Sequence, residues 1–544
     1  MLERPSPFPR RLVLAAALLA AASAPARAVI ELSSSTKVAI QNDFLEYDNR
    51  ITGSNPSGSF LTPGTHTQET LNVVLDTSRD GWAYEGLVNG RATDDERIDR
   101  KRFNLKQFYV KADTTTTSAV VGDFLGSFSD YTLGRSLKGA SYTRKWEKTQ
   151  FTVLGGIDKP NWDDTWNHNA DETVDRQVWG SRVQRQFGDD GQIGANIVWA
   201  KDERARFNSS SPAVDQRVGS VDWTLPRYHK LVLSGESAYA LSQTDLPTSD
   251  SNGDPINLHS TTYGWAHKIR ARWSYGRFKT VDDFERVSSN FQTSEGSASP
   301  DLVRWKTDNT VTITGPWKWI VLRYTYFHNN LVNADGVNTS TTRMPETGLR
   351  YEAPDWRPNF SWESRLRARD VSSSSDGSRK RTHSLINSLA DRFGPLSLQV
   401  DYEIQKEDKT DGTVSILHHI LGIGSNMLLT AKDWKFIEGL RWDLQRDRDN
   451  LMGTTDQTGT VKANLQVVSP WAVDGGVTYT RALVLNATSP GNDRRSWAAS
   501  LGANILHKED HRVELRFRQN DNRFGTPGQD YKEMTWELSL SDKF

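Results

Sequence analysis

Charged side chains recur at every second position in several stretches of this chain, and that spacing is the strongest chemical signal it carries. Lys268, Arg270 and Arg272 alternate with Ile269, Ala271 and Trp273. Glu363, Arg365, Arg367 and Arg369 stand against Trp362, Leu366 and Ala368, and Arg512, Glu514, Arg516 and Arg518 against Val513, Leu515 and Phe517. Lys435, Arg441 and Asp443 belong to a further segment of this kind, marked by Trp434 and Trp442. Residues two apart on an extended chain share a face, so each stretch is a ladder of mixed charge, rich in Arg, backed by an apolar face. Such ladders suit two uses: an electrostatic lining for anionic solutes or a protein plug, or a hydrated wall braced by cross-strand pairs. Arg at mid-depth on a lipid-facing surface costs roughly 2–4 kcal/mol, which assigns the ladders to a wet side. His267 and Glu438 fall on the apolar phase and fit neither use.

Other candidates for chemistry are sparser. His418 and His419 are adjacent, so on a strand they point to opposite faces and cannot share a metal. Trp162, Asp163, Asp164 and Trp166, followed by Asp171 and Glu172, combine carboxylates able to hold Ca²⁺ with rings able to stack on sugars, yet the composition also fits a solvated loop. The apolar stretch 122–128, with Tyr131, reads as a loop that packs on a rim or folds inward. Enzyme signatures are missing: there is no nucleophile elbow, phosphate loop or zinc helix. The nearest match, 134–139, has the wrong spacing for a phosphate loop and reads as a lead into a strand. A Ser/His/Asp set gathered from separate strands is the one enzymatic reading left open. With no Cys, the chain carries no thiolate metal site, iron–sulfur cluster or covalently attached haem, and no cofactor is expected on it.

The elements that position these residues follow from composition and periodicity. Only 36 % of the 544 residues are hydrophobic, yet there are 19 Trp, 15 Tyr and 20 Phe, and Lys+Arg 67 balances Asp+Glu 68. Balanced charge excludes a dedicated nucleic-acid binder, and the rings exclude a disordered chain. Arg4, Arg10 and Arg11, an apolar run over 12–22, and Ala26-Arg27-Ala28 read as a signal peptide over 1–28, with 29–544 as the mature chain. No later stretch is apolar for long enough to span a membrane as a helix, so a membrane form must cross with strands. Alternating segments of about 10–14 residues with aromatic ends match tilted membrane strands. Short connections, such as 147–148, 276, 315–316 and 394–395, take turns with long polar ones, such as 48–68, 158–175, 202–215, 242–260, 288–301 and 450–457. The expected fold is all-β: one large transmembrane antiparallel barrel of about 26 strands, within a range of 22 to 26 or slightly more, with short periplasmic turns and longer extracellular loops. At the C-terminus Trp536, Leu538, Leu540 and the final Phe544 resemble the signal read by the outer-membrane barrel assembly machinery, with Asp542 departing from it.

A circular barrel of that strand number is about 50 Å across, too wide to leave empty, and no segment is long enough to be a plug domain. The combination of signal peptide, about 26 strands and no plug resembles the MtrB/PioB family of decahaem-associated outer-membrane barrels. That resemblance implies a sheath around a multihaem cytochrome in transmembrane electron transfer; the family's cysteine pair is absent here, and no residue role carries over. The terminal Phe544 and the strand–turn alternation resemble Gram-negative porin-like channels more broadly. The sequence therefore predicts an outer-membrane channel or conduit for solutes, or a housing for a periplasmic or extracellular protein in its lumen, in contact with outer-membrane lipid.

Overall fold

The structure is a computed structural model that describes residues 30–33, 35–99, 102–159, 162, 176–202, 213–249, 255–332, 339–352, 359–374, 379–409, 415–431, 434–448, 453–467, 472–485, 494–507, 511–524 and 528–543. The expected signal peptide and Phe544 lie outside the described residues. Alternation of apolar and polar residues yields strands throughout, and Pro56–Gly58 forms a single short 3-10 turn. In chain order the strands are β1 (Ile30–Ser33), β2 (Thr36–Gly53), β3 (Gly64–Arg79), β4 (Trp82–Thr93), β5 (Phe103–Asp113), β6 (Thr117–Ser127), β7 (Gly134–Trp146), β8 (Thr149–Asp158) and β9 (Arg176–Phe187). There follow β10 (Gly191–Asp202), β11 (Ala213–Thr224), β12 (Leu231–Ser249), β13 (Pro255–Tyr275), β14 (Phe278–Val287), β15 (Leu302–Thr314), β16 (Trp317–Asn329), β17 (Ser340–Glu352) and β18 (Ser361–Ser373). The last are β19 (Arg379–Phe393), β20 (Leu396–Lys409), β21 (Ser415–Ala431), β22 (Trp434–Arg448), β23 (Gly453–Val467), β24 (Ala472–Leu485), β25 (Arg494–His507), β26 (His511–Phe524) and β27 (Tyr531–Lys543).

Among the described residues all belong to one sheet of 27 strands, one more than the central expectation of about 26; the four-residue β1 is too short to separate from β2 by periodicity. Each strand pairs antiparallel with its successor, and β2 also pairs with β27, from Gln41 opposite Lys543 to Gly53 opposite Tyr531. β1 pairs with the start of β2, Ile30 opposite Val38, in the stretch that β27 does not reach. Connections alternate as the sequence predicts. At one end Asp80 and Gly81 turn β3 into β4 with φ of 53° and 80°, the two left-handed residues of a type I′ hairpin whose twist matches its strands. At the other end stand the longer connections.

Several stretches read as loops are strand instead. Residues 242–249 and 255–260 extend β12 and β13, with pairing unbroken from Ser242 opposite Thr262 to Ser249 opposite Pro255. Mostly polar, with Leu246, Ile256 and Leu258 too few to mark a face, they carry no sustained period-2 signal. For the same reason β2 runs to Gly53, β3 begins at Gly64 and β23 begins at Gly453. Residues 122–127 lie in β6, and only 128–133 form the connection to β7.

The two faces of the sheet differ sharply. One exposes Tyr263, Ile269 and Trp273 on β13, Trp305 on β15, Trp317 and Trp319 on β16, Leu366 on β18 and Leu501 on β25. The other carries the charge ladders and, near the longer connections, two buried apolar clusters. Tyr131 and Phe291 pack on Val218, Ala238, Ala240, Ala266, Val287 and Leu302. Phe128 and Leu133 pack on Leu137, Leu154, Val178, Val198 and Ala200. The core is therefore a second layer: the β6–β7 connection (128–133) and the β14–β15 connection (288–301) lie against the charged face of β7 to β15.

Candidate functional site

The register sets the predicted ladder residues on one face. Lys268 and Arg270 oppose Glu285 and Asp283 on β14, and Arg270 is hydrogen-bonded to Asp283. Lys268 reaches Asp130 on the in-folded β6–β7 connection, while Glu285 takes Arg304 from β15. On β18, Arg365 meets Glu346 at 2.9 Å and Glu363 at 2.6 Å, and Arg367 meets Glu403 at 2.6 Å. Glu363 also faces Arg323 and Arg350, each at 3.7 Å. On β26, Glu514 bridges Arg512 at 2.8 Å and Arg516, and Arg518 faces Glu537 at 3.3 Å. Arg272 and Arg369 lie on the same face, opposite Val281 and Thr382. Arg441 pairs across from Gly424 on β21; the side chain of Asp443 lies outside the described residues, as does that of Lys435. Most of the cationic excess seen in sequence is thus answered by carboxylates on neighbouring strands, which cross-strand pairing favours. The wall has mixed charge.

The in-folded layer is anchored by groups that periodicity does not single out. Tyr131 is fully buried; its hydroxyl donates to Glu285 at 3.0 Å, its N–H donates to Glu236 at 3.3 Å, and its ring meets Phe291 edge-on at 5.7 Å. Burial, then the charge of Glu285, holds its phenol far above the usual range. Arg182 on β9 donates to the Phe128 carbonyl, to Asn196 at 2.8 Å and to Asp222 at 2.8 Å. Glu295 in the second connection is buried, and both its carboxylate oxygens lack a hydrogen-bond partner among the described residues. Its nearest cation is Arg176 at 3.6 Å, itself engaged with Asp202 at 2.7 Å. Burial, then Asp158, pushes the Glu295 carboxyl up, and Arg176 opposes that. The sequence offered one hint of this layer, the apolar 122–128 stretch with Tyr131. Phe291, a lone ring in a Ser-rich segment, was the second available signal.

The remaining candidates separate cleanly. His418 faces Glu407 at 3.5 Å on the charged face, while His419 lies on the other, its Nδ1 3.1 Å from the Tyr402 hydroxyl. They do not share a ligand. His267, which lies on the apolar phase, packs on Trp265 at 4.9 Å and sits 2.9 Å from Ser237 Oγ, an arrangement suited to an interfacial aromatic patch. The side chain of Glu438 and the carboxylates at 163–172 lie outside the described residues. Segment 134–139 is strand β7, with no phosphate-loop geometry. Leu538 and Leu540 are buried and Trp536 is half exposed, all on the phase of β27 that opposes Glu46, Phe44 and Asp48.

No family model matches the chain, and no curated protein matches it. Among solved structures it is similar to the translocation pore of the P pilus usher PapC, at 7 % identity over 93 % of this chain and 99 % of that one, with a TM-score of 0.39. It is also similar to the FrpB iron transporter from Neisseria meningitidis, at 10 % identity over 94 % and 82 % of the two chains, with a TM-score of 0.43. A third similar structure is the ferric enterobactin receptor PfeA from Pseudomonas aeruginosa, at 10 % identity over 93 % and 81 %, with a TM-score of 0.41.

Proposed function

We propose that the chain is an outer-membrane β-barrel, closed by the ladder between β2 and β27, that forms a wide aqueous conduit across the outer membrane. The observation that carries this reading is the coincidence of that ladder with segregation of the faces along β13, β18 and β26: exposed rings and aliphatics on one side, paired charges on the other. A continuous row of strand pairings leaves no wall-length edge, which is the condition for strands to sit in lipid. Export by the 1–28 signal peptide, insertion by the barrel assembly machinery, and short turns on the periplasmic side belong to the same proposal. The ion pairs along the ladders make the lumen hydrated and of mixed charge, so the conduit discriminates weakly between small anions and cations. The in-folded layer narrows it on one side.

The lumen is expected to be about 50 Å across, and among the described residues the buried apolar layer lies against β7 to β15. That supports a second reading, in which the unlined sector houses a partner protein; the resemblance to the MtrB/PioB family names a multihaem cytochrome as one candidate. Purified protein in planar bilayers distinguishes the two. Stable large conductance supports the open conduit and a sealed barrel overturns it; detergent extraction from native membranes that yields a stoichiometric luminal protein supports the housing instead.

A further inference from the structure

The wall is not uniformly zipped. β5 pairs with β6 over five positions, from Asp113 opposite Ser118 to Tyr109 opposite Gly122, whereas β6 pairs with β7 over eleven and β4 with β5 over ten. The break falls at Gly122, whose φ is +111° and where a Cβ would stand 2.2 Å from the Phe108 carbonyl oxygen. Only glycine fits there, and beyond it β6 leaves β5. Residues 103–108 and 123–127 therefore border a seam in the half of the wall nearer the long connections. Val88, the cross-strand partner of Phe108, stands four and six residues from Tyr84 and Trp82 at the turn end, so the seam begins near mid-depth and runs outward.

Unpaired backbone in lipid costs several kcal/mol per group, and here substitutes are supplied. The Asp123 carboxylate accepts from the Phe108 N–H at 2.7 Å, from Trp162 Nε1 at 2.6 Å and from Lys138 Nζ at 2.5 Å. The Trp162 N–H donates to the Leu105 carbonyl at 3.4 Å. The Trp162 ring meets Phe108 edge-on at 6.0 Å and lies 5.3 Å from the Lys138 ammonium. Among the described residues, Trp162 thus covers the seam. Apolar groups stand on both sides of it: Phe124, Phe128, Leu133 and Leu137 within, and Phe103 and Leu125, 63 % and 71 % exposed, without.

We propose that this seam is a lateral portal, through which solutes with a long hydrocarbon chain pass between the lumen and the outer leaflet. The chemistry selects the class: a hydrated ion would shed its water beside Asp123 and Lys138, which already satisfy one another, whereas a hydrocarbon gains contact with Phe103, Phe124, Leu125 and Leu137 on either side of that pair. The inference rests on the outer-membrane barrel reading. It is tested with full-length protein in proteoliposomes, following transfer of pyrene-labelled hexadecane from a cyclodextrin complex into the bilayer, with ion conductance recorded on the same preparations. Because the chain has no Cys, the double variant Leu105→Cys, Trp162→Cys joins two backbones already in hydrogen-bond contact without side reactions. Oxidation is expected to abolish the protein-dependent transfer, and reduction to restore it, with conductance unchanged in both states. Trp162→Ala is expected to raise the transfer rate. Transfer indifferent to oxidation in a conducting protein overturns the portal; absent conductance overturns the conduit reading itself.

Discussion

Tyr131→Ala tests whether the in-folded layer sets the width of the passage. The side chain is fully buried, so its removal forfeits packing of about 3–5 kcal/mol, the usual cost of deleting a core aromatic. It also removes a hydrogen bond to a charged acceptor, ordinarily about 1.5–3 kcal/mol, although Glu285 keeps Arg304. None of these contacts belongs to a strand ladder. The loss therefore falls on the layer and leaves the wall folded. A layer one chain thick against roughly a third of the circumference fills about a quarter of a lumen of this size, so its release raises single-channel conductance by about a third. Planar-bilayer recording measures that, and trypsin cleavage at exposed Arg135 reports release of the layer separately. Tyr131→Phe, which keeps the ring against Phe291, is expected to show a smaller effect. Cleavage at Arg135 with unchanged conductance would show that the layer can be freed without having narrowed the passage.

Glu363→Gln removes the carboxylate shared by Arg323, Arg350 and Arg365 and is expected to shift the reversal potential under a KCl gradient toward anion selectivity; an unmoved potential argues against a conducting lumen along β18. Burial raises the carboxyl of Asp99, in the β4–β5 connection, but bonds from Lys106, Arg91 and Asn104 outweigh this and bring it to about 2. A carboxyl depressed on folding stabilises above its unfolded value of about 3.9 and loses that contribution as pH falls toward 2, so amide protection at Ile98 and Asp99 should fade over that window. Asp99→Asn should flatten the pH dependence, and a profile identical to the parent contradicts the assignment. Glu295 has the opposite sign. Its carboxyl is raised by burial, so the folded state gains stability as pH falls through that raised value, and Glu295→Gln should slow proteolysis of 288–301 at neutral pH. Faster cleavage of the variant would show that Arg176 compensates the charge fully.

What could be read in the sequence was whatever depended on residues two apart. The faces of β13, β18 and β26 follow from alternation alone, and so does the split of His418 from His419. The strand ends over 242–249 and 255–260 escaped because their few apolar residues, Leu246, Ile256 and Leu258, are too sparse among Ser, Thr and Asn to show the contrast that reveals a strand. The in-folded layer escaped for a different reason. Tyr131 and Glu285 meet across 154 residues, and Phe128 and Arg182 across 54, distances at which local spacing says nothing. The charge ladders were legible as ladders but only partly as neutralised ones: Glu363 and Glu514 stand two residues from their Arg partners, whereas Glu346, Asp283, Glu403 and Glu537 lie on the next strand, or on the one beyond, at a register that turns and bulges determine. The seam was masked by its own sequence: Gly122 and Asp123 read as loop residues because they sit where pairing stops.

The ladder between β2 and β27 also dictates an order of events. Each neighbouring pair before it is a hairpin, closed between residues near in sequence, whereas Thr535 reaches Asn49 across 486 residues. Bringing the ends of so long a flexible chain together costs on the order of 5–6 kcal/mol of loop entropy, more than a short ladder recovers. If the hairpins zip first, the ends approach as the margins of an already curved sheet and most of that cost is met locally. The chain is thus built to be joined last at its oldest edge. Until that moment the free edge of β2 is paired only where β1 covers its start among the described residues, and a nascent sheet needs a temporary partner for the remainder.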